Sequence, residues 1–478
     1  MKGAEKGNGL FADIGQVRKN ITRRHPEYER MYPQWQYFLD SYEGGQSYVS
    51  KPQYLFSHSR ETAEDRAFRL RRVVYYNYCK AIVDLYVSYI YKKEILRESS
   101  NPYYLEFLQD VDLRSNDVDT MMSRYIAPLS QVFGVVFVIV DMPQITADRN
   151  SLNGGNGSGI RPYIAPILPF DVLDWELDSI GRFRWVKVRE KFPSERSPFD
   201  EHKTQDYNYR IWTKDKWYLL DKEGDFLNPN GPAGENHPVG RVPIVAVYNE
   251  RSFQSPIFGI SALQDIAPCC QKIYNLSSLL DEFLYKQCFS FLAWPGDVDV
   301  EQLGTSNVAT YDPETKALPH YITPPTDPAK FIESQIEKNI EEIYRLSRIK
   351  YVAVSSQTES GIARSIEFHD TNNILTRKAR NLEQAEREIA ELFFKWLGEK
   401  NDVTIQYPRE FSIRAANEEV EEAIKVMSLN LSETLNARIG KRLVRTVLPS
   451  LNLNEEQRIY AEIDGNTAFQ QKGDKSPR

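Results

Sequence analysis

The segment from about Ile362 to Leu397 constrains the fold more than any other part of the chain. Leu375, Leu382, Ile389 and Trp396 recur every seven residues, with Ala379 and Phe393 between them, so one apolar stripe runs along a helix. Glu383 and Arg387 add an i,i+4 pair. Roughly 36 residues at about 1.5 Å each make a rod of about 54 Å. The usual globular helix has about 11 residues, so a rod of this length crosses a whole assembly or packs against neighbours along its length. Gly398 ends it.

Composition narrows the classes. The 478 residues are 41% hydrophobic and 27% charged, which excludes wholesale disorder, collagen and a coiled-coil rod. Mean hydropathy is -0.53. The longest apolar run, Val132 to Val140, is far short of the about 20 residues a membrane helix needs. MKGAEKGNGLFADIG lacks the apolar centre of a secretory signal, so none is expected. Lys and Arg number 60 against 67 Asp and Glu, a net charge of -7. An acidic chain is poorly suited to wrapping nucleic acid, because that affinity comes from neutralised phosphates. Loose contact stays open. Of four cysteines, Cys269 and Cys270 are adjacent, while Cys79 and Cys288 stand alone. With no C-x-x-C spacing, buried free thiols in a reducing cytoplasm are expected, and no metal site.

The first 24 residues read as a mobile arm, and the arm is extended to residue 53. A helix begins near Thr62, where Thr62-Ala63-Glu64-Asp65 approximates a capping box. Val74, Tyr78, Ile82, Leu85 and Tyr89 continue it as one apolar face, and Arg66, Arg69, Arg71 and Arg72 read as a solvated cluster. Val135 to Val140 is a buried strand. Asn153 to Gly159 is a loop whose glycines miss the dinucleotide spacing. Tyr163–Leu168, Val172–Leu177, Phe183–Val188, Tyr209–Trp212 and Trp217–Leu220 read as an antiparallel meander, followed by Ile244–Tyr248. The chain turns helical from Ser261, with Ile266, Cys270, Ile273, Leu276, Leu280 and Phe283 as its stripe. An insert with turn signals at Asp312-Pro313 and Pro324-Pro325 follows. The next helix starts with Asp327 as N-cap and Pro328 at the first helical position. It buries Ile332, Ile336, Ile340 and Ile343. Glu333, Glu337 and Glu341 form an acidic row, mutually destabilising by a few tenths of a kcal/mol per pair. After the rod, Val403–Tyr407 reads as a strand. Short helices follow at Glu418–Leu429, Ser432–Val447 and Glu455–Ile463, then a polar tail.

Catalytic signatures are missing. There is no phosphate-binding loop, no H-E-x-x-H and no G-x-S-x-G. The six histidines are scattered. His369-Asp370 is the best single candidate, where a carboxylate could orient an imidazole, and its place in the rod favours a surface or interface role. No enzyme activity and no cofactor are expected.

The order of elements resembles the portal proteins of tailed bacteriophages, particularly the shorter portals of long-tailed phages. VVYYNYCKAIVDLYVSYIYKKEI is similar to the N-terminal portal helix. FGVVFVIVD and PYIAPILPFDVLDWELDSIGRFRWVKVRE look like wing strands. GRVPIVAVYNE with SPIFGISALQDIAPCCQKIYNLSSLLDEFL resembles the lead into the first stem helix, and TDPAKFIESQIEKNIEEIYRLSRI the second. SSQTESGIARSIEF resembles the junction of tunnel loop and long wing helix. The likeness runs from about Tyr54 to Ile463.

The resemblance implies an α+β portal fold. Its parts are an N-terminal arm (1–53), a wing (54–260), a stem helix (261–292), a clip (293–325), a second stem helix (326–349), a tunnel loop (350–361), a long wing helix with a closing strand (362–412), a crown (413–464) and a tail (465–478). It implies a homo-oligomeric ring, usually of twelve subunits, at one capsid vertex of a virion assembled in host cytoplasm. Double-stranded DNA would pass through the axis in packaging and ejection. Ser355, Ser356, Gln357 and Thr358 would be tunnel-loop contacts to DNA, weak and sequence-blind. Glu333, Glu337 and Glu341 would belong to the channel wall. Asp297, Asp299, Glu301, Asp312 and Glu314 would lie on the clip, where the terminase large subunit and later the neck adaptor dock. Capsid and scaffold proteins are the further partners, and no membrane is involved. Twelve chains of -7 carry -84, so the wall repels DNA instead of trapping it. A ring-forming virion scaffold without a DNA channel is the alternative.

Overall fold

The computed structural model describes residues 14–59, 61–143, 161–191, 207–287, 291–296, 308–312, 314, 318–322, 326–349, 361–411, 416–429, 431–447, 455 and 458–464. They fall into two compact units, Met1–Phe411 and Ser412–Arg478. The fold is mixed helix and sheet, of α+β type.

The larger unit opens with α1 (Ile14–Asn20), α2 (Pro26–Glu43) and α3 (Gly45–Val49). The expectation of an arm to residue 53 is corrected here. Tyr28, Trp35 and Tyr48 are fully buried, and Trp35 packs edge-on against Phe258 at 4.7 Å between ring centres. Aromatic burial of this size, not chain ends, decides the order of the segment. His25 stands before α2, accepts the Glu27 N–H at Nδ1 (3.2 Å) and stacks on Trp175 at 4.0 Å.

Next come α4 (Ala63–Arg72) and α5 (Tyr78–Ile90). Thr62 caps α4, accepting from the Asp65 N–H at 3.1 Å. The expected single helix through Tyr89 is two. Residues 73–77 are non-helical, and Asn77 caps the second helix by accepting from the Lys80 N–H at 2.8 Å. The buried face of α5 is Cys79, Ile82, Val83, Tyr86, Val87 and Ile90. Val74 is exposed, while Val73 and Tyr75 alternate inward. The arginine cluster is also corrected at one position. Arg69 is buried, donating to Glu61 (2.6 Å) and Ser278 (3.0 Å).

Strand β1 (Leu96–Glu98), α6 (Pro102–Gln109), α7 (Val118–Met121) and α8 (Ala127–Phe133) follow, with a π turn at Met122–Ile126. Pro128 lacks the N–H that would bond back one turn, and the widened turn lies just before it. Gly134, at φ +83°, faces the backbone of Gly259 so closely that a side chain at either would collide with the other's carbonyl.

Strand β2 (Val135–Asp141) is buried along its whole length, as its β-branched run predicts. It is the centre of a three-stranded antiparallel sheet with β3 (Tyr163–Ile167) and, from further along the chain, Ile244–Tyr248. The meander is a separate antiparallel sheet of five strands in chain order: β4 (Val172–Leu177), β5 (Phe183–Lys191), β6 (Tyr207–Thr213), β7 (Lys216–Leu220) and β8 (Glu235–Asn236). Tyr163–Ile167, expected to begin the meander, pairs with β2 instead. Ile244–Tyr248 is β9. The Asn153–Gly159 loop lies outside the described residues.

A helical pair follows: α9 (Ile266–Gln287) and α10 (Asp327–Ser347). Between them sit β10 (Phe291–Pro295), β11 (Val308–Tyr311) and β12 (His320–Ile322), a three-stranded sheet centred on β10. Then come α11 (Gly361–Leu397) and β13 (Thr404–Gln406), which pairs antiparallel with β1. The rod is one 37-residue helix. Leu375, Ala379, Leu382, Ile389 and Phe393 are buried, as the seven-residue repeat predicts. Trp396 donates its indole N–H to the Val140 carbonyl at 2.8 Å, pinning the far end of the rod to β2. Gly398 follows at φ +70°.

The smaller unit contains α12 (Ala416–Ser428) and α13 (Glu433–Val447), packed on each other.

Candidate functional site

The elements of interest are the α9/α10 pair and what surrounds its two ends. Phe291, just after α9, pairs with Ile322, just before α10, and the two helices pack on each other, so they run antiparallel. Ile343 is fully buried, and Ile336 and Ile340 pack on the core. Pro328 sits in the first turn of α10 as expected, but the residue before the helix is Thr326. Asp327 is its first residue, and Thr326 makes no side-chain cap. Proline tolerates the first turn because its missing N–H has no partner there.

Glu333, Glu337 and Glu341 are exposed along one side of α10, away from the isoleucines. They share a face, as their spacing predicts. Of the acidic residues expected on the insert, Asp312 and Glu314 are exposed, with the Asp312 carboxylate accepting the Glu314 N–H at 3.0 Å. Asp297, Asp299 and Glu301 lie outside the described residues, as do Ser355, Ser356, Gln357 and Thr358. His369 and Asp370 are exposed on α11.

The other end of the pair is anchored. Tyr86 donates to the Ser347 carbonyl, and Thr371 of α11 donates to the Arg348 carbonyl. Arg348 itself takes the left-handed conformation at φ +53°, ending α10. Beside this junction opens a cavity of about 680 Å³. Arg251, Arg348, Arg377, Lys378 and Arg380 line it, with Glu250 and Asp265 as its carboxylates. Lys378 is half-buried, donates to Asn249 Oδ1 and lies 4.8 Å from the Tyr86 ring centre. Burial holds its ammonium pKa down at about 7, against the opposing pull of Glu250. The sequence reading missed this cavity. Its signal was Arg377-Lys378-Ala379-Arg380, three cations in four residues on the rod.

A second cavity, of about 410 Å³, lies between α4 and α9. His58, Glu61 and Glu282 approach one another at its edge. Arg69 already stands between the two carboxylates, 2.6 Å from Glu61 and 3.6 Å from Glu282, so a guanidinium supplies the positive charge that a cation would bring. Cys79 and Cys270 meet with their sulfurs 3.5 Å apart and are free thiols.

No family model and no curated protein matches the chain. Among solved structures it is similar to the neck of an empty GTA particle computed with C6 symmetry, at 10% identity and TM-score 0.42, covering 76% of this chain and 89% of that chain. It is also similar to the neck of a native GTA particle computed with C12 symmetry, at 10% identity and TM-score 0.40, covering 76% and 89%.

Proposed function

We propose that this chain is a portal-type subunit. Identical copies close into a ring through whose axis double-stranded DNA passes, with packaging motor and neck adaptor docking at one end. The observation that carries the reading is the antiparallel pair α9/α10, which bears a small sheet between its helices and is followed by a 37-residue helix against the β2–β9 sheet. This is a shaft with a head and a long brace, and it suits a wall built from repeated copies. Glu333, Glu337 and Glu341, exposed and in a row, are assigned to the bore, where like charge keeps DNA sliding. Ser355, Ser356, Gln357 and Thr358 are short and neutral, suited to weak contact. Asp312 and Glu314, exposed on the insert, belong to the docking end, together with Asp297, Asp299 and Glu301. The chain needs no cofactor and performs no catalysis in this role.

Electron microscopy and native mass of the purified protein test it. The expected result is a closed ring with a hole wide enough for a duplex. A closed disc points to a scaffold without a channel, and a monomer at every concentration and salt defeats both.

A further inference from the structure

The loop between β9 and α9 projects beside the arginine cavity, and its shape is fixed internally. Arg251 and Gly259 bridge across its base. Ser252 Oγ accepts from the Gln254 N–H at 3.0 Å, and Ser255 Oγ from the Phe258 N–H at 2.8 Å. At its tip Phe253 is wholly exposed, at 108% of the reference area. A large apolar ring held out on an ordered loop costs hydration free energy for as long as nothing covers it.

The neighbouring cavity is equally unspent. Arg251, Arg348, Arg377 and Arg380 are exposed, and among the described residues none forms an ion pair with them. Arginine forks match carboxylates two bonds at a time. Exposed aromatic rings and arginines together are the residue types that dominate the centres of protein–protein interfaces.

We infer that this face, the Phe253 loop with the arginine cavity beside it, docks a second copy of this chain through that copy's acidic surface. Charge decides the occupant. Leaving Lys378 aside, four arginines against two carboxylates put the cavity at +2, so the remainder of a chain of -7 carries -9. Another copy is therefore an acidic partner, and a cavity on one copy meeting a different patch on the next is the head-to-tail contact that closes rings. Duplex DNA has the right sign but the wrong consequence. Under the portal reading, on which this inference rests, each phosphate held by an arginine adds affinity and stops sliding.

The test uses the full chain and three proteins: the parent, F253A and R377E/R380E. All three positions replaced are exposed, and far-ultraviolet circular dichroism with a melting curve checks that the fold is kept. Sedimentation velocity across protein concentration reads assembly. The parent is expected to form the ring. F253A should need at least tenfold more protein for half-assembly, and R377E/R380E should remain monomeric at concentrations where the parent is closed. Should the parent assemble and both variants assemble alike with it, the interface is wrong while the ring reading survives. Loss of duplex binding in R377E/R380E with assembly intact would assign the face to DNA and overturn the inference. A parent that never assembles overturns the inference and the ring reading together.

Discussion

Glu386, buried inside the rod, is held from another element by Arg97 of β1, whose Nη2 lies 3.2 Å from the Glu386 carboxylate. Tyr407 donates its hydroxyl to the same carboxylate at 2.7 Å, and Arg97 reaches on to Asp119 at 2.8 Å. Three segments far apart in sequence therefore converge on one buried charge. Breaking such a group from one side leaves an uncompensated ion, which costs about 3–5 kcal/mol, whereas replacing both partners with apolar residues is often near neutral. R97M should accordingly destabilise the larger unit by about that amount in urea unfolding, and R97M/E386L by much less. Additive losses in the cycle would show that the two residues are not coupled.

Lys187 is buried on β5 and donates to the carbonyls of Asn20 (3.4 Å), Ile21 (3.0 Å) and Arg23 (2.6 Å), closing the turn after α1. Burial pushes its pKa down to about 8. Between about pH 8 and the usual lysine value the unfolded chain binds more protons than the folded one, so stability rises with pH in that window. Measured against K187M, in which tyrosine titration cancels, the parent's relative stability should climb from pH 8 to pH 10. A flat difference would mean that the amine is not buried.

Asp141 closes β2 beside Arg210 (3.7 Å) and the Tyr163 hydroxyl (3.4 Å). Burial outweighs the arginine and lifts its pKa to about 6. Its contribution is complete below the ordinary aspartate range and is lost as pH rises through 6. Thermal melts of D141N and parent from pH 4 to pH 7 should diverge in the variant's favour. Convergence over that range would contradict the raised value.

Cys79 and Cys270 are buried, and Cys269 is half-buried. The hydrogen bond with the Cys79 sulfur, and then burial, raise the Cys270 thiol well above the usual value. Since the thiolate is the reactive form, a maleimide followed by peptide mass mapping should label Cys269 before Cys79 and Cys270, which react only on unfolding. Equal rates in the native protein would refute the packing.

Wherever one periodicity ran unopposed, sequence and structure agree. The rod has a seven-residue stripe over five turns and more, and β2 has an unbroken β-branched run. Elsewhere a local pattern was overruled by distant partners. Val74 and Tyr78 continue the helical spacing, yet the chain breaks at 73–77, because Tyr75 stacks on Tyr48 at 3.9 Å and Asn77 can cap. Arg69 looks like its exposed neighbours in sequence; only Glu61 and Ser278, the latter from α9, distinguish it. Strand β1, three residues of mixed polarity, carries no signal without β13. The arginine cavity joins residues more than a hundred positions apart, which no spacing rule reaches.

Phe291 and Ile322 stand opposite each other across β10 and β12, so the polypeptide leaves the helical shaft and returns to it at one point. Whatever lies between can be lengthened, trimmed or exchanged without transmitting strain into the buried β2 sheet. The head is thus an interchangeable fitting. A foreign peptide grafted between β10 and β12 should therefore be displayed without refolding its carrier.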